Sequence, residues 1–237
     1  MKYERLDWDT EFLGVTVVRI TEPFLHEQEL SKILSELKVK NVSLAYWASS
    51  QELEGITAKR FGGVLVDKKT SFAMDFRCKN ADEFVCSDIV EVYVHSMPIS
   101  DIEDLAIQSG EYSRFAVDKR FPREKFLDLY KIWINRSLCK EIAEEVFVIR
   151  EGERVVGIVT LGNNTGRGDI GLIAVDRNYR GKGYGEKLVR AAQRWFMEHG
   201  YKIGQVVTQG INSPACNLYE KCGYSIEDVK YFYHFWI

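Results

Sequence analysis

The chain has 237 residues, 46% of them hydrophobic and 28% charged, with a formal net charge of −3. That is the composition of a folded globular protein with a core in one large or two small units, and it excludes a disordered chain. The balance lacks the basic field that drives nucleic-acid binding, and neither a signal-peptide core near MKYERLDWDTEF nor an apolar run of membrane-span length is present. The expectation is therefore a cytoplasmic protein with no nucleic-acid partner and no membrane insertion.

Short apolar runs alternate with amphipathic segments from end to end, which predicts an α/β chain with mixed sheets. The first part reads as a strand at Val15–Ile20, a helix over Glu27–Lys38, a strand at Val42–Tyr46, a helix over Ser50–Arg60, and two strands at Gly63–Val66 and Ser71–Arg77. The polar stretch Cys78–Ser87 then interrupts the apolar pattern without a helical stripe of its own. It is the expected linker, with a boundary near Asp88 that divides the chain into units 1–87 and 88–237.

The second unit opens with a strand at Ile89–Val94 and a helix that Ser100 would cap, with Glu103 at its third position. Another helix starts at Pro122 and carries Phe126, Leu129, Tyr130, Trp133 and Ile134 at helical spacing, as core aromatics and aliphatics would be. Strands follow at Val146–Ile149, Val155–Leu161 and Ile170–Val175, then a long helix to His199, a strand at Ile203–Thr208, a short helix from Ser213 and a strand pair from Tyr224 to Ile237. Cys78, Cys86, Cys139, Cys216 and Cys222 form no C-x-x-C pair, which predicts reduced thiols and no metal site.

The strand Ile170–Val175 stops at Asp176-Arg177-Asn178-Tyr179-Arg180-Gly181-Lys182-Gly183-Tyr184-Gly185, a basic glycine turn that opens the long helix. Glycines let backbone amides come close to a phosphate, and the helix start favours an anion. Arg180 and Lys182 add full charges at that point, whereas Lys187 and Arg194 read as solvated surface. The spacing is neither a Walker A loop nor a dinucleotide fingerprint.

It does match R/Q-x-x-G-x-G/A, and the downstream residues Asn212, Ala215, Leu218, Tyr219, Gly223 and Tyr224 fall in step with N-x-x-A-x-x-L-Y-x-x-x-G-F/Y. On these two motifs the chain resembles the GNAT acetyltransferase superfamily. The resemblance implies an α/β fold of the α+β, GNAT-like kind: a mixed, mostly antiparallel central sheet flanked by helices. It implies acetyl-CoA as cosubstrate and no metal, with the cofactor held by Arg180, Gly181, Lys182, Gly183, Tyr184, Gly185 and Asn212. Backbone groups of Ile173, Ala174 and Val175 would pair with the pantetheine arm where their strand splays from its neighbour, and Tyr219 would be the general acid. The plain alternatives are a core aromatic for Tyr219 and a helix cap for Asn212. No residue is fixed as the base; Asp169 and Glu91 could act through water, and His26, His95, His199 and His234 are scattered.

Further segments resemble the TDP-fucosamine acetyltransferases: Trp8-Asp9-Thr10-Glu11-Phe12-Leu13-Gly14, Tyr112-Ser113-Arg114-Phe115, Leu129-Tyr130-x-x-Trp133-Ile134, Thr208-Gln209-x-x-Asn212 and the tail Tyr231–Trp236. This implies a truncated GNAT-like amino-terminal unit packed on the catalytic one. The acceptor would be the 4-amino group of a dTDP-4-amino-4,6-dideoxy sugar, in surface polysaccharide synthesis. Tyr112 and Arg114 are the expected acceptor residues, and Arg114 with Lys119 could meet the nucleotide diphosphate. A homodimer stays open. So do two other functions, acetylation of a protein N-terminus or other small-molecule amine, and a non-catalytic CoA-binding module, although the presence of Tyr219 speaks against the last.

Overall fold

A computed structural model describes residues 2–80, 83–84 and 87–237. In chain order the elements are β1 (Tyr3–Arg5), α1 (Asp7–Leu13), β2 (Val17–Ile20), α2 (Glu27–Val39), β3 (Leu44–Ser49), α3 (Gly55–Arg60) and β4 (Gly63–Asp75). They continue with β5 (Val90–Val92), α4 (Ile99–Ser109), α5 (Arg114–Val117), α6 (Arg123–Leu138), β6 (Glu145–Glu151), β7 (Arg154–Asn164) and β8 (Arg167–Val175). A 3₁₀ turn at Arg177–Tyr179 precedes α7 (Tyr184–Glu198), β9 (Ile203–Gln209), α8 (Ser213–Lys221) and β10 (Ser225–Trp236). The predicted linker Cys78–Ser87 lies partly outside the described residues, and so does Cys86. The other four cysteines are free thiols.

The strands form one sheet in the order β1-β2-β3-β10-β4-β9-β8-β7-β6-β5. Only β2–β3 and β8–β9 pair in parallel; every other neighbour is antiparallel. This is the mixed, mostly antiparallel α/β architecture expected from the sequence. Residues 1–87 supply β1 to β4, and β4 sits between β10 and β9, so the two halves of the chain share main-chain hydrogen bonds at the centre of the sheet.

Helices cover both faces, because apolar stripes on each must be buried. The stripe Leu188, Val189, Ala192, Trp195 and Phe196 of α7 packs with Phe72, Val206 and Tyr219 on one side. On the other, Ile102 and Leu105 of α4 meet Ile134 of α6 over Val148 and Ile158. Near β2 and β3, Phe115, Phe126, Leu129 and Tyr130 pack with Leu44 and Tyr46. No helix among the described residues is long and apolar enough to cross a membrane.

Several boundaries differ from the sequence reading. The strands expected at Gly63–Val66 and Ser71–Arg77 are one continuous strand, Gly63–Asp75, and the expected pair after Tyr224 is likewise one, Ser225–Trp236. The charged run Asp67-Lys68-Lys69 between the two expected strands is the middle of a central strand, and its Asp67 and Lys69 line a cavity. Helix α4 begins one residue before Ser100, with Pro98 at its cap position and no side-chain cap. Helices α1 and α5, about two turns and one turn of chain at the W-D-T-E-F and S-R-F motifs, are too short to show an apolar stripe.

Candidate active site

The cavity of about 770 Å³ at the centre of the sheet starts from a defect in strand pairing. β8 pairs with β9 only over Gly168–Ile170, yet β8 runs on to Val175. At that point Gly171 and Leu172 of β8 stand opposite the single residue Thr160 of β7. Such a bulge bends its strand. The Leu172 amide donates to Thr160 Oγ1 at 2.8 Å, and a Cβ on residue 171 would come within 2.9 Å of that oxygen, so the bulge needs glycine there. Beyond it the two strands diverge, and Ile173, Ala174 and Val175 face Val207, Thr208 and Gln209 across the opening.

At the mouth of the opening, the turn Arg180–Gly185 leads into α7. Gly181 and Gly183 have φ of +81° and +78°, the left-handed region, and a Cβ on either would meet nothing within 4 Å. The bare backbone at the helix start is thus open to an approaching anion. Arg180, Gly181, Gly183, Tyr184 and Gly185 all line the cavity, whereas Lys182 does not. Its ammonium lies over the Tyr179 ring and 3.8 Å from Glu151, which also accepts a hydrogen bond from Tyr184. Arg180 donates to the Val175 carbonyl at 3.1 Å and lies 3.6 Å from Glu111.

Tyr219 and Asn212 line the same cavity. Tyr219 is 2% exposed, its ring against Phe72 and Tyr224, and burial raises its phenol well above the ordinary range, so it holds its proton near neutral pH. Asn212 caps α8, its Oδ1 accepting from the Ala215 amide at 3.3 Å. Tyr112 and Arg114 border the opposite arm. The guanidinium of Arg114 lies 4.5 Å from the Tyr46 ring centre, 4.6 Å from that of Phe115 and 5.2 Å from that of Phe232. Lys119 is exposed and takes no part in the lining.

Neither acid considered as the base borders the cavity. Glu91 sits on the edge strand β5, paired with Arg150 at 2.8 Å, and Asp169 accepts from Gln205 at 2.8 Å. Three other carboxylates border it: Glu111 is paired with Arg177 and Arg180, Glu186 with Arg190 and Lys221, and the one without an ion pair is Asp67, which sequence reasoning missed. Its Oδ1 is buried and accepts no hydrogen bond, and burial pushes its carboxyl up to about 7 against the opposing pull of Arg114 and Lys69. The strand pattern explains its placement. Asp67 and Lys69 are two residues apart and so share a face of β4, and both line the cavity. Beside them the register of β4 against β10 shifts, with Asp67 opposite Phe232 but Leu65 opposite Tyr233. A charge recurring at period two inside an apolar run was the available signal.

Behind this arm, Asp118 accepts from His234 Nδ1 at 2.7 Å, from Trp236 Nε1 at 2.8 Å and from the Arg120 amide at 3.0 Å. Burial alone would raise the Asp118 carboxyl, but these donors hold it down at about 2. Burial, with Arg114 adding repulsion, keeps His234 neutral against the pull of Asp118. The His234 ring lies tilted against Tyr46, centroids 4.7 Å apart, so this buried pair backs the wall on which Arg114 rests.

A diverging parallel strand pair, a turn of open backbone at its mouth, a carboxyl raised toward neutrality and a protonated phenol thus meet in one cavity. The family follows from comparison with known proteins: the acetyltransferase (GNAT) family matches residues 106–224, half of the chain, and the chain belongs to that family. It is an N-acetyltransferase by family, and the acyl donor of that family is acetyl-CoA. The chain is 25% identical to the dTDP-fucosamine acetyltransferase of Escherichia coli O6:H1 over 237 residues, 96% of this chain and 95% of that one. It is 37% identical to the streptothricin acetyltransferase of Escherichia coli over 60 residues, a stretch covering 25% of this chain and only 34% of that relative. A functionally unknown conserved protein from Staphylococcus epidermidis, 14% identical, shares the fold with a TM-score of 0.67 over 93% of this chain and 84% of its own.

Proposed function

We propose that the protein transfers the acetyl group of acetyl-CoA to the amine of a nucleotide-linked amino sugar of the dTDP-4-amino-4,6-dideoxyhexose type, by direct attack. The single observation that carries the chemistry is the juxtaposition of the unpartnered Asp67 carboxylate and the Tyr219 phenol in one cavity. The near full-length likeness to a dTDP-fucosamine acetyltransferase supports the acceptor class.

The chain fits acetyl-CoA at two places, the open backbone at Gly181 and Gly183 and the unpaired edge of β8. Arg180 and the turn amides would hold the diphosphate, with Lys182 adding charge from outside the cavity. Backbone groups of Ile173, Ala174 and Val175 would pair with the pantetheine arm, and Asn212 would contact cofactor or water. Acetyl-CoA supplies an acyl group activated as a thioester. Asp67 takes a proton from the acceptor ammonium, which frees the nitrogen lone pair; a carboxyl near 7 suits that task at neutral pH. A sugar amine is less basic than lysine, so a base of this strength suffices. As the new C–N bond forms and the C–S bond breaks, the Tyr219 hydroxyl donates its proton to the departing sulfur; the second proton, lost by the nitrogen as it becomes an amide, restores the Tyr219 hydroxyl, and Asp67 releases the first to solvent.

Residues 1–87 act, in this reading, as an acceptor-side unit on the catalytic unit 88–237, contributing Tyr46 and Asp67 to the arm that Tyr112 and Arg114 complete. The test is release of free CoA from acetyl-CoA in the presence of dTDP-4-amino-4,6-dideoxygalactose, with spermidine, an N-terminal peptide and streptothricin as competing acceptors. Turnover that favours the sugar nucleotide supports the reading. Turnover confined to another amine replaces the acceptor, and no turnover with any of them removes the reading.

A further inference from the structure

We infer that the acceptor arm contains an anion subsite, in which the Lys69 ammonium and the Arg114 guanidinium together hold a phosphate or carboxylate carried by the acceptor molecule. The inference rests on the acetyl-transfer reading above for the identity of that arm, but its physical basis is independent of the chemistry.

The cations at the two ends of the cavity fall into two groups. Those of the glycine turn already have carboxylate partners: Arg177 and Arg180 share Glu111, and Lys182 faces Glu151. Lys69 and Arg114 both line the cavity, and among the described residues neither has a carboxylate within 4.0 Å. Both instead lie against aromatic rings, Arg114 on Tyr46, Phe115 and Phe232, and Lys69 at 5.8 Å from the centre of Phe232.

Ring walls on several sides strip water from these charges, and each repels the other. Burial lowers the affinity of both for their protons, and Arg114 lowers that of Lys69 further. Holding two like charges in a desolvated wall costs free energy that a bound anion recovers. Asp67 does not cancel them: it is one carboxylate against two cations, it forms no ion pair with either, and its carboxyl is itself raised to about 7. Asp9 acts on Arg114 and Asp169 on Lys69 only from beyond 4.0 Å, so among the described residues no carboxylate contacts either cation. Arg114 offers a planar fork for a phosphate or carboxylate, and Lys69 a point charge beside it. The same strand then presents the base two residues away, so that the amine and the anion of one acceptor are read together.

The test uses calorimetry on the full chain saturated with CoA, which occupies the glycine turn, with inorganic pyrophosphate and acetate as separate probes. Binding of pyrophosphate that weakens at least tenfold in Lys69→Met and recovers in Lys69→Arg assigns the subsite to phosphate; the same pattern with acetate alone assigns it to carboxylate. Unchanged CoA affinity in each variant shows that the fold is intact, and an Arg114→Met variant provides the second arm of the measurement. Absence of binding by both anions, or binding indifferent to both substitutions, overturns the inference. Acetylation assays separate the two readings. Lys69-dependent anion binding without acetylation of any amine keeps the subsite and removes the proposed function. Equal KM values for a dTDP-4-amino sugar and the matching methyl 4-amino glycoside, with no anion binding, do the reverse.

Discussion

The two arms of the cavity are built by opposite means. The arm between β8 and α7 is made of backbone: a bulge at Gly171–Leu172, an unpaired strand edge, and a turn whose glycines sit at positive φ. The arm bordered by β4 and α5 is made of side chains, with Asp67, Lys69 and Arg114 set among Tyr46, Phe115 and Phe232. Backbone sites need particular residues at fixed spacing, because only glycine tolerates the conformation or the close approach. Side-chain sites need only that distant positions converge.

If the division is real, substitutions in one arm should leave the other untouched. The largest expected effect is Asp67→Asn, which keeps size and removes the base; turnover should fall about 10³-fold while acetyl-CoA affinity stays within twofold, measured by steady-state assay and calorimetry. Asp118→Ala comes next. It leaves the buried donors of His234 and Trp236 without their acceptor, which should cost about 2–4 kcal/mol in urea unfolding. The sign with pH follows from the depressed carboxyl: the stability that Asp118 contributes is present above about pH 4, where the unfolded chain titrates, and is lost as pH falls through about 2. The variant should show less of this acid loss than the parent.

Tyr219→Phe sits between the arms and should lower turnover by about 10²-fold with little change in acetyl-CoA affinity; equal loss of both would make the tyrosine a packing residue. The smallest effect is expected from Gly183→Val. A side chain there is strained at φ +78° and fills the space before the helix start, so acetyl-CoA should bind about tenfold more weakly, roughly 1.4 kcal/mol, with the ranking of acceptors unchanged. A changed ranking would join the two arms and break the comparison.

This contrast also explains what was legible in the sequence. The strand–turn–helix at Ile170–Gly185 and the run from Asn212 to Tyr224 could be read because their spacing is dictated locally, and the helix stripes and apolar strands placed most of the fold. The strand order could not be read, since nothing local says that β4 lies between β9 and β10. With β4 read as two short strands, Asp67 and Lys69 had no reason to be grouped with Arg114, some 45 residues further along the chain and brought close only by the sheet. Lys119 was the nearer cation in sequence, and its exposure rules it out of the lining. Helix α5 was hidden by its length, since four residues show no period.

The account turns on Asp67 as the group that frees the amine. The direct measurement is the pH dependence of kcat/KM for dTDP-4-amino-4,6-dideoxygalactose at saturating acetyl-CoA, in the parent and in Asp67→Asn. A carboxyl raised to about 7 predicts a rate that climbs tenfold per pH unit below that value and levels above it, with the limb abolished in the variant. A limb that survives unchanged in Asp67→Asn belongs to the amine itself and would contradict the assignment.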